Sequence, residues 1–224
     1  MCGRASITKS EAQIESRFDA LFYPEELEGK GLFPNQNICP SQLLPIITNI
    51  DPRHINLYRW GLIPHWAKNE KVGYKMFNAR KETLLNKPAF SQAVTQRRCL
   101  VIMDSFYEWK KVNSQKVPHR IFLKDQPLFT AAGLWESWLH PAGNTIHSCT
   151  VITQPPNNFM SHLHDRMPAI LTVDQEQLWI DNNLSAAEAI KLLDEPIPSE
   201  MMDSYEMDPV TGRLDNTGKQ MSLF

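Results

Sequence analysis

A cysteine at position 2 is the residue of this chain best placed to do chemistry, because removal of Met1 gives it a free α-amine beside its thiol. The ordinary pKa values are about 8.5 for the thiol and about 8 for the amine, so neighbouring groups must activate both at neutral pH. Such a terminus suits acyl transfer by the thiol. It equally suits condensation with an aldehyde, in which the amine forms an imine and the thiol closes it to a thiazolidine. The alternative is that Cys2 is simply a small buried hydrophobic residue.

Two further segments carry side chains that acid–base or hydrogen-bonding chemistry needs. Asn78 and Arg80 are two residues apart, so on an extended chain they share one face. Glu108 lies between two aromatic residues, where burial would raise its pKa toward neutrality. The structural alternative for Glu108 is an ion pair with a nearby lysine.

A pair of histidines stands beside an acid and a base near the C-terminal end of the chain. His162 and His164 are followed directly by Asp165 and Arg166. Two histidines at this spacing are a weak metal signal, and no third ligand is evident. We therefore expect no metal and no other cofactor, and the alternative for His164 is a hydrogen-bonded histidine at the end of a helix.

Helices and strands are both predicted as the elements that position these side chains. Ser10 with Gln13 forms a capping box and predicts a helix of about 12 residues ending near Phe22. The same motif predicts two C-terminal helices, capped at Asp174 with Gln177 and at Ser185 with Glu188. Branched and aromatic residues predict strands over 43–49, 55–60, 99–103, 120–123, 129–135 and 149–153. Because helices do not alternate with these strands, a doubly wound parallel sheet is not expected.

Length and composition favour one domain. The 224 residues are 42% hydrophobic, enough for one core, and we place the domain at 2–217 with a mobile C-terminal tail at 218–224. No apolar run approaches the ~20 residues of a membrane span, and the N-terminus lacks a signal-peptide pattern. The four cysteines include no Cys-x-x-Cys pair, which argues against zinc and against a disulfide scaffold. We expect a cytoplasmic protein, nucleoid-associated if bacterial, with no membrane contact.

Basic residues are concentrated in the middle of the chain. From Arg53 to Lys124 there are 15 Lys and Arg against four Asp and Glu, a local balance of +11 in a chain of net charge −2. Aromatic residues are interleaved with them: Trp60, Trp66, Tyr74, Phe77, Phe90, Phe106, Tyr107 and Trp109. Cationic and stacking side chains together are what single-stranded nucleic acid binding requires. The alternative is ordinary solvated charge over a core that buries most of these aromatics.

Six short motifs occur in one order along the chain. They are Cys2-Gly3-Arg4, Trp60-Gly61-Leu62-Ile63-Pro64-His65-Trp66, Asn78-Ala79-Arg80-Lys81-Glu82-Thr83, Phe106-Tyr107-Glu108-Trp109, Ala132-Gly133-Leu134-Trp135-Glu136 and His164-Asp165-Arg166-Met167-Pro168. In these motifs and their spacing, from residue 2 to about residue 216, the chain resembles the SOS-response-associated peptidase (SRAP) family, the abasic-site-processing proteins. The departures are Ile102, Ser105 and His65, where many or some relatives have proline, glycine and tryptophan.

The resemblance implies a DNA-repair protein that traps abasic sites of single-stranded DNA as a thiazolidine on Cys2, with Asn78, Glu108 and His164 completing the catalytic set. It implies an α+β fold, a single compact domain of twisted, barrel-like antiparallel β-sheets with flanking helices and a positively charged DNA groove. We expect a monomer. An imine intermediate also implies abasic-site lyase activity. The family carries a proposed peptidase activity that releases a propeptide, which a chain with only Met1 ahead of Cys2 does not need.

Roles follow for the individual residues. We assign to His164 the proton that opens the sugar ring, to Glu108 acceptance of the amine proton, and to Asn78 the holding of the terminus and the sugar. Arginines would contact phosphates without reading sequence, and an exposed tryptophan would stack on a base. The predicted DNA-binding residues are Arg4, Trp66, Arg80, Thr153 and Arg166.

Two other classes of protein fit part of the pattern. Class II glutaminase domains also begin with Met-Cys-Gly and use the terminal cysteine for acyl transfer. They need an Asn-Gly pair to build the oxyanion hole, whereas this chain has no Asn-Gly dipeptide and only nine glycines. The third class is a DNA-binding module that uses the basic face and performs no chemistry.

Overall fold

Strands dominate the computed structural model, which describes residues 2–28 and 31–207. The predicted tail at 218–224 and the domain boundary at 217 lie outside these residues. The strands are β1 (Ala5–Ile7), β2 (Leu21–Phe22), β3 (Asn35–Ile38), β4 (Leu43–Thr48), β5 (Asp51–Trp60), β6 (Asn78–Arg80), β7 (Arg98–Met103), β8 (Ser105–Val112), β9 (Gln115–Leu123), β10 (Phe129–Leu139), β11 (Thr145–Gln154), β12 (Met167–Pro168), β13 (Ile170–Leu171) and β14 (Met202–Glu206). The α-helices are α1 (Glu11–Phe18), α2 (Pro24–Leu27), α3 (Pro88–Gln96), α4 (Asn158–Ser161), α5 (Val173–Ile180) and α6 (Ala186–Lys191), and 3₁₀ helices occupy Glu70–Lys75, Lys81–Thr83 and Ser199–Met201.

Five strands of the larger sheet close on themselves. The order β11-β10-β7-β4-β5 is antiparallel throughout, and β11 pairs again with β5, in parallel, to complete a barrel. Every residue of β7 is buried, because α3 and α5 pack against the strand from outside the barrel. Closure removes the free edges that a strand of this apolar content would otherwise expose.

The smaller sheet carries two of the predicted site segments. Its order is β14-β9-β8-β1-β3, with all neighbours antiparallel. Ala5 of β1 stands opposite Phe106 of β8, and the Tyr107 backbone N–H donates to the Arg4 carbonyl at 3.0 Å. This register brings the segment that begins at Cys2 beside the segment that contains Glu108.

The predicted α+β architecture with barrel-like sheets and flanking helices is confirmed, with one refinement. The pairings are mostly antiparallel, but β2 pairs in parallel with β5, and β11 pairs in parallel with β5 and β6. The β6–β11 pairing places Asn78 opposite Val151 and Arg80 opposite Thr153. The third site segment is therefore fixed along the barrel strand β11.

The helix predictions are partly wrong. The Ser10–Gln13 box is present, but α1 ends at Phe18 rather than near Phe22, because Asp19 adopts the left-handed conformation (φ 49°) and caps the helix. The helix α5 is capped by Thr172 with Gln175, not by Asp174 with Gln177, since Asp174 already lies in the first turn. The box of Ser185 and Glu188 at α6 is confirmed.

All six predicted strands are present, and five extend beyond their predicted bounds. Sequence reasoning missed the helix α3 and the strands β1, β3 and β8. In the part of the chain that the structure describes, no helix has both the length and the apolar character needed to cross a bilayer.

Candidate active site

Cys2 lies in the protein interior, three residues before the start of β1. Its side chain is 1% exposed, and its Sγ donates to the Arg4 carbonyl at 3.6 Å. The Cys2 carbonyl accepts a hydrogen bond from Asn78 Nδ2 at 2.7 Å. A residue so near a chain end is ordered only when it is tied down, and this bond from Asn78 does so.

Asn78 is itself held by the barrel. The Phe77 carbonyl accepts hydrogen bonds from Trp60 Nε1 at 2.8 Å and from the Val151 backbone N–H at 3.1 Å, which fixes the start of β6. Asn78 Oδ1 is buried and accepts no hydrogen bond from any described residue. It is thus an acceptor directly beside the Cys2 backbone, suited to an N–H or a sugar hydroxyl.

Glu108 is a buried carboxyl group in the middle of β8, 2% exposed. Burial raises the pKa of Glu108 to about 7. Both protonation states are therefore populated at neutral pH, as a group that alternately accepts and donates a proton requires.

His164 faces Glu108 from the segment that follows α4. Its Nε2 lies 3.6 Å from Glu108 Oε2. Its Nδ1 accepts from the Arg166 backbone N–H at 3.1 Å and lies 2.9 Å from Asp165 Oδ1. The Arg166 N–H requires an Nδ1 that accepts, which places the hydrogen on Nε2, whereas the Asp165 carboxylate would require the hydrogen on Nδ1. We assign the hydrogen to Nε2. The Arg166 N–H is fixed by the backbone, whereas the Asp165 side chain is 87% exposed and screened by water.

Burial lowers the pKa of His164 below its ordinary value. Its imidazole is therefore mainly neutral at pH 7, in contrast to the expectation of an unshifted histidine. A neutral imidazole still donates from Nε2, and Glu108 is the adjacent group that replaces the proton. Burial thus shifts the pKa values of the two groups in opposite directions, Glu108 upward and His164 downward, so the carboxyl group is the member of the pair that changes its protonation state near neutrality.

The Cys2 thiol stays protonated in this setting. Burial, and secondly the charge of Glu108, raise the pKa of the Cys2 thiol well above its ordinary range. A thiolate is thus disfavoured before substrate is present.

Two of the predicted DNA-binding residues are exposed. Trp66 is 53% exposed in a tight turn, closed by a bond from the Ala67 N–H to the Pro64 carbonyl at 2.8 Å. The Ala67 carbonyl accepts from Trp138 Nε1 at 2.7 Å, which anchors the turn to β10. Arg80 is exposed at the end of β6. Both side chains are free to meet a ligand.

The other three predicted DNA-binding residues are engaged within the protein. Arg4 Nη1 donates to Asn37 Oδ1 at 2.5 Å. Arg166 forms a bidentate ion pair with Glu82, in which Nη1 donates to Oε1 at 2.6 Å and Nη2 donates to Oε2 at 3.0 Å. Its Nη2 also donates to the Thr153 carbonyl at 2.6 Å. Thr153 is fully buried. In this arrangement Arg166 and Thr153 hold the His164 segment against β6 and β11, and direct DNA contact by them stays a prediction.

A cavity of about 670 Å³ opens beside Glu108 and His164. Its lining consists of Glu108, Trp109, Lys110, Lys111, Lys116, Ser161, His162, Leu163, His164 and Asp165. Sequence reasoning did not single out its lysines as a site. The sequence does show two consecutive lysines after Trp109. The cavity, however, forms only where the fold brings β8 and residues 161–165 together.

Most of the aromatic residues of the basic region belong to the core, as the alternative held. Trp60, Phe90, Phe106 and Tyr107 are buried, whereas Trp66 and Tyr74 are about half exposed. Within residues 2–28 and 31–207 no group of three His, Cys, Asp or Glu side chains is arranged to hold a metal ion.

Comparison with known proteins agrees with this geometry. The sequence profile described as "SOS response associated peptidase (SRAP)" matches residues 1–215. The chain belongs to the SRAP family. It is 40% identical over 225 residues to abasic site processing protein YoaM of Bacillus subtilis (strain 168), covering 99% of this chain and 97% of that protein. It is 32% identical over 237 residues to abasic site processing protein HMCES of Xenopus tropicalis, covering 86% of this chain and 70% of that protein.

Solved structures share the SRAP fold described above. A crystal structure of a protein from Bacteroides thetaiotaomicron superposes with a TM-score of 0.87 at 29% identity, covering 92% of each chain. A protein from Bordetella bronchiseptica superposes with a TM-score of 0.79 at 23% identity, which supports the fold alone. The family resemblance read from the six motifs is thus confirmed, and membership in SRAP sets aside the class II glutaminase alternative.

Proposed function

We propose that this chain captures abasic sites of single-stranded DNA as a covalent thiazolidine on Cys2, after removal of Met1. The observation that carries the proposal is the convergence on one buried cysteine of an amide that holds its carbonyl and a carboxyl–imidazole pair whose nearest atoms lie 3.6 Å apart. The names of the relatives, abasic site processing proteins, support abasic DNA as the substrate.

The first step opens the sugar. An abasic sugar is mainly a closed hemiacetal, so its ring oxygen must gain a proton and its anomeric hydroxyl must lose one as the bond between C1′ and the ring oxygen breaks. His164 Nε2–H supplies the first proton, and Glu108, about half protonated at pH 7, replaces it. The proton lost by the anomeric hydroxyl passes to solvent, and Glu108 is left ionised for the next step. Because the same pair returns the proton in reverse, these two residues also govern release.

The second step joins protein and DNA. The Cys2 amine attacks C1′ of the aldehyde, Glu108 accepts the amine proton, and one water leaves as the imine forms. The thiol then adds to the imine carbon, its proton passes to the nitrogen, and the five-membered ring closes. The balance is one new C–N bond, one new C–S bond and one released water. The raised pKa of the buried thiol accounts for its acting second.

The proposal includes two subsidiary activities. The imine permits β-elimination of the neighbouring phosphate, so a slow lyase reaction competes with ring closure. Cys2→Ala keeps an α-amine but has no thiol, so it should lose ring closure and retain the lyase reaction. The same thiol gives the peptidase activity named in the family description, directed at residues placed ahead of Cys2. A chain extended by a few residues before Cys2 tests it, because self-processing would restore the mass of the form that begins at Cys2.

The protein would act as a monomer in the cytoplasm, with single-stranded DNA as its partner. The Trp66 turn supplies a stacking surface and Arg80 a phosphate contact. A DNA-binding module without chemistry would explain these two residues. It would not explain a buried carboxyl group that faces an imidazole beside a buried cysteine.

Incubation with an abasic single-stranded oligonucleotide tests the proposed function. We expect an adduct that survives SDS with the chain that begins at Cys2, and none with Cys2→Ala or with protein that retains Met1. Noncovalent binding alone would support the binding-module alternative. Ammonia release from glutamine would revive the glutaminase alternative.

A further inference from the structure

The cavity beside Glu108 and His164 has a wall that the proposed chemistry does not use. The lining of the cavity includes none of the five predicted DNA-binding residues. Its unassigned wall is formed by Lys110, Lys111 and Lys116, and residues 161–165 form the opposite wall. A DNA strand is continuous on both sides of the abasic sugar. A strand that continues from the abasic sugar into this cavity would run along these lysines.

The lysines are presented by a projecting hairpin. β8 pairs with β1 only at its start, at Ser105 and Phe106. On its other side β9 pairs with β14 as far as His119, which stands opposite Glu108. From Trp109 onward β8 and β9 continue as a two-stranded arm, with Lys111 directly opposite Lys116 and Asn113 in a left-handed conformation (φ 55°) at the tip. The free edge of β8 is where the cavity opens.

The arm carries uncompensated positive charge. Within the described residues none of the three lysines makes an ion pair, whereas Arg59 is paired with Glu70 and Arg166 with Glu82. Like charges directly opposite on neighbouring strands destabilise the pairing. A bound anion between Lys111 and Lys116 would relieve this repulsion.

We propose that Lys110, Lys111 and Lys116 form a second phosphate-binding site, which holds the backbone of single-stranded DNA on one side of the abasic sugar while Trp66 and Arg80 serve the other side. This inference rests on the proposed function. It divides the DNA surface into two arms that meet at Glu108 and His164.

Lys111→Glu tests the site because its two effects have opposite signs. The carboxylate introduced at position 111 would pair with Lys116 and should raise the melting temperature by about 1–3 °C. Affinity for an undamaged single-stranded oligonucleotide should nevertheless fall several-fold, and the slope of log affinity against log salt should flatten by about 0.7 for each phosphate that is no longer neutralised.

The matched control is Lys191→Glu, the same charge change on the exposed end of α6, which should bind almost as the unchanged protein does. Equally weakened binding in the two variants, or unchanged binding with Lys111→Glu, would overturn the proposal.

Two abasic oligonucleotides locate the site. One carries the abasic nucleotide at its 5′ end and the other at its 3′ end, so each supplies phosphates to one side only. Lys111→Glu should slow adduct formation several-fold with one oligonucleotide and leave the other unchanged, whereas equal slowing would overturn the two-arm arrangement. If the unchanged protein forms no adduct with either, the proposed function fails, and the binding of undamaged DNA still decides the lysine site.

Discussion

At the scale of single residues, the pairing of Glu108 with His164 decides what the site can do. Burial raises the pKa of the carboxyl to about 7 and lowers that of the imidazole, so near pH 7 the carboxyl is present in both protonation states and the imidazole is mainly neutral. A surface glutamate would be fully ionised at this pH and unable to return a proton. The buried pair therefore supplies both the acid and the base that the proposed imine formation needs.

The two members of the pair should respond differently to pH. With Glu108→Ala the amine loses its proton acceptor, so adduct formation should slow by roughly 10²–10⁴-fold and recover in part above pH 8, where the amine is increasingly free unaided. His164→Ala should slow ring opening and reversal to a similar degree and gain little at high pH, because no other acid replaces the imidazole. In the unchanged protein the rate should be greatest near pH 7, where Glu108 is present in both protonation states. Single-turnover crosslinking across pH 6–9 measures all three. Identical profiles for the two variants would contradict this division of roles.

At the scale of elements, the three-residue strand β1 must place Cys2 accurately although it has few backbone bonds. A buried cluster on the face of the smaller sheet opposite Glu108 holds its far end. Asp104 Oδ1 accepts from Ser6 Oγ at 2.6 Å and from Arg120 Nη2 at 3.2 Å, and Asp104 Oδ2 accepts from Thr8 Oγ1 at 2.5 Å. Asn78 holds the near end at the Cys2 carbonyl. The cluster and Asn78 together fix the register of β1 against β8.

Loosening the far end should therefore weaken catalysis. Thr8→Val removes one donor to Asp104 and should speed hydrogen exchange at residues 2–8 and slow adduct formation several-fold, with undamaged DNA bound as before. Thr130→Val is the matched control, because Thr130 Oγ1 donates to the buried Glu176 at 3.0 Å far along the chain. If Thr130→Val slows the reaction equally, the effect is one of general stability and β1 has no special role.

The helices and strands that could be predicted are those whose own sequence determines the structure without reference to tertiary partners. Apolar barrel strands such as β7 and β10 were found, because burial on both faces leaves a nearly continuous run of apolar residues. β8 was missed because charged residues occupy its projecting half, and its partners are set by tertiary register. The start of α3 carried an available signal, Pro88 at its first turn.

At the scale of the whole molecule, the site is assembled from four distant segments. Cys2 precedes β1, Asn78 begins β6, Glu108 lies in β8 and His164 follows α4. Residue chemistry marked each segment but could not bring them together, since no local pattern encodes the β6–β11 and β1–β8 registers. The family resemblance supplied the grouping, and the structure shows Asn78 in contact with Cys2, and His164 with Glu108.

The structure also changes the interpretation of the basic segment between Arg53 and Lys124. Much of its excess charge is used internally, since Arg97 pairs with Glu136, Arg120 with Asp104, and Arg98 is buried against backbone carbonyls. The charge left for a ligand is therefore smaller than the local balance of +11 predicts. Arg80 and the hairpin lysines are among the residues whose charge is not used in this way.

Arg80 and Arg166 should accordingly differ when replaced. Arg80→Ala should weaken binding of undamaged single-stranded DNA regardless of sequence and flatten the slope of log affinity against log salt by about 0.7.

Arg166→Ala should instead lower thermal stability, because it breaks the pair with Glu82, whose pKa Arg166 holds below its ordinary value. That stabilisation is present above the ordinary pKa of Glu82 and is lost as pH falls through the lowered value, so the stability difference should shrink in acid. Equal melting temperatures at pH 7 would contradict the assignment of Arg166 as an internal tie.

The most direct test of the central claim is the intact mass of the adduct formed with an abasic oligonucleotide in the absence of any reductant. The account predicts the summed mass of the chain without Met1 and the oligonucleotide, less one water, with the attachment mapping to Cys2 after digestion. Cys2→Ser should give an adduct of comparable yield only when borohydride traps the imine. An adduct of the unchanged protein that requires borohydride, or one that maps to a lysine of the hairpin, would contradict thiazolidine formation at Cys2.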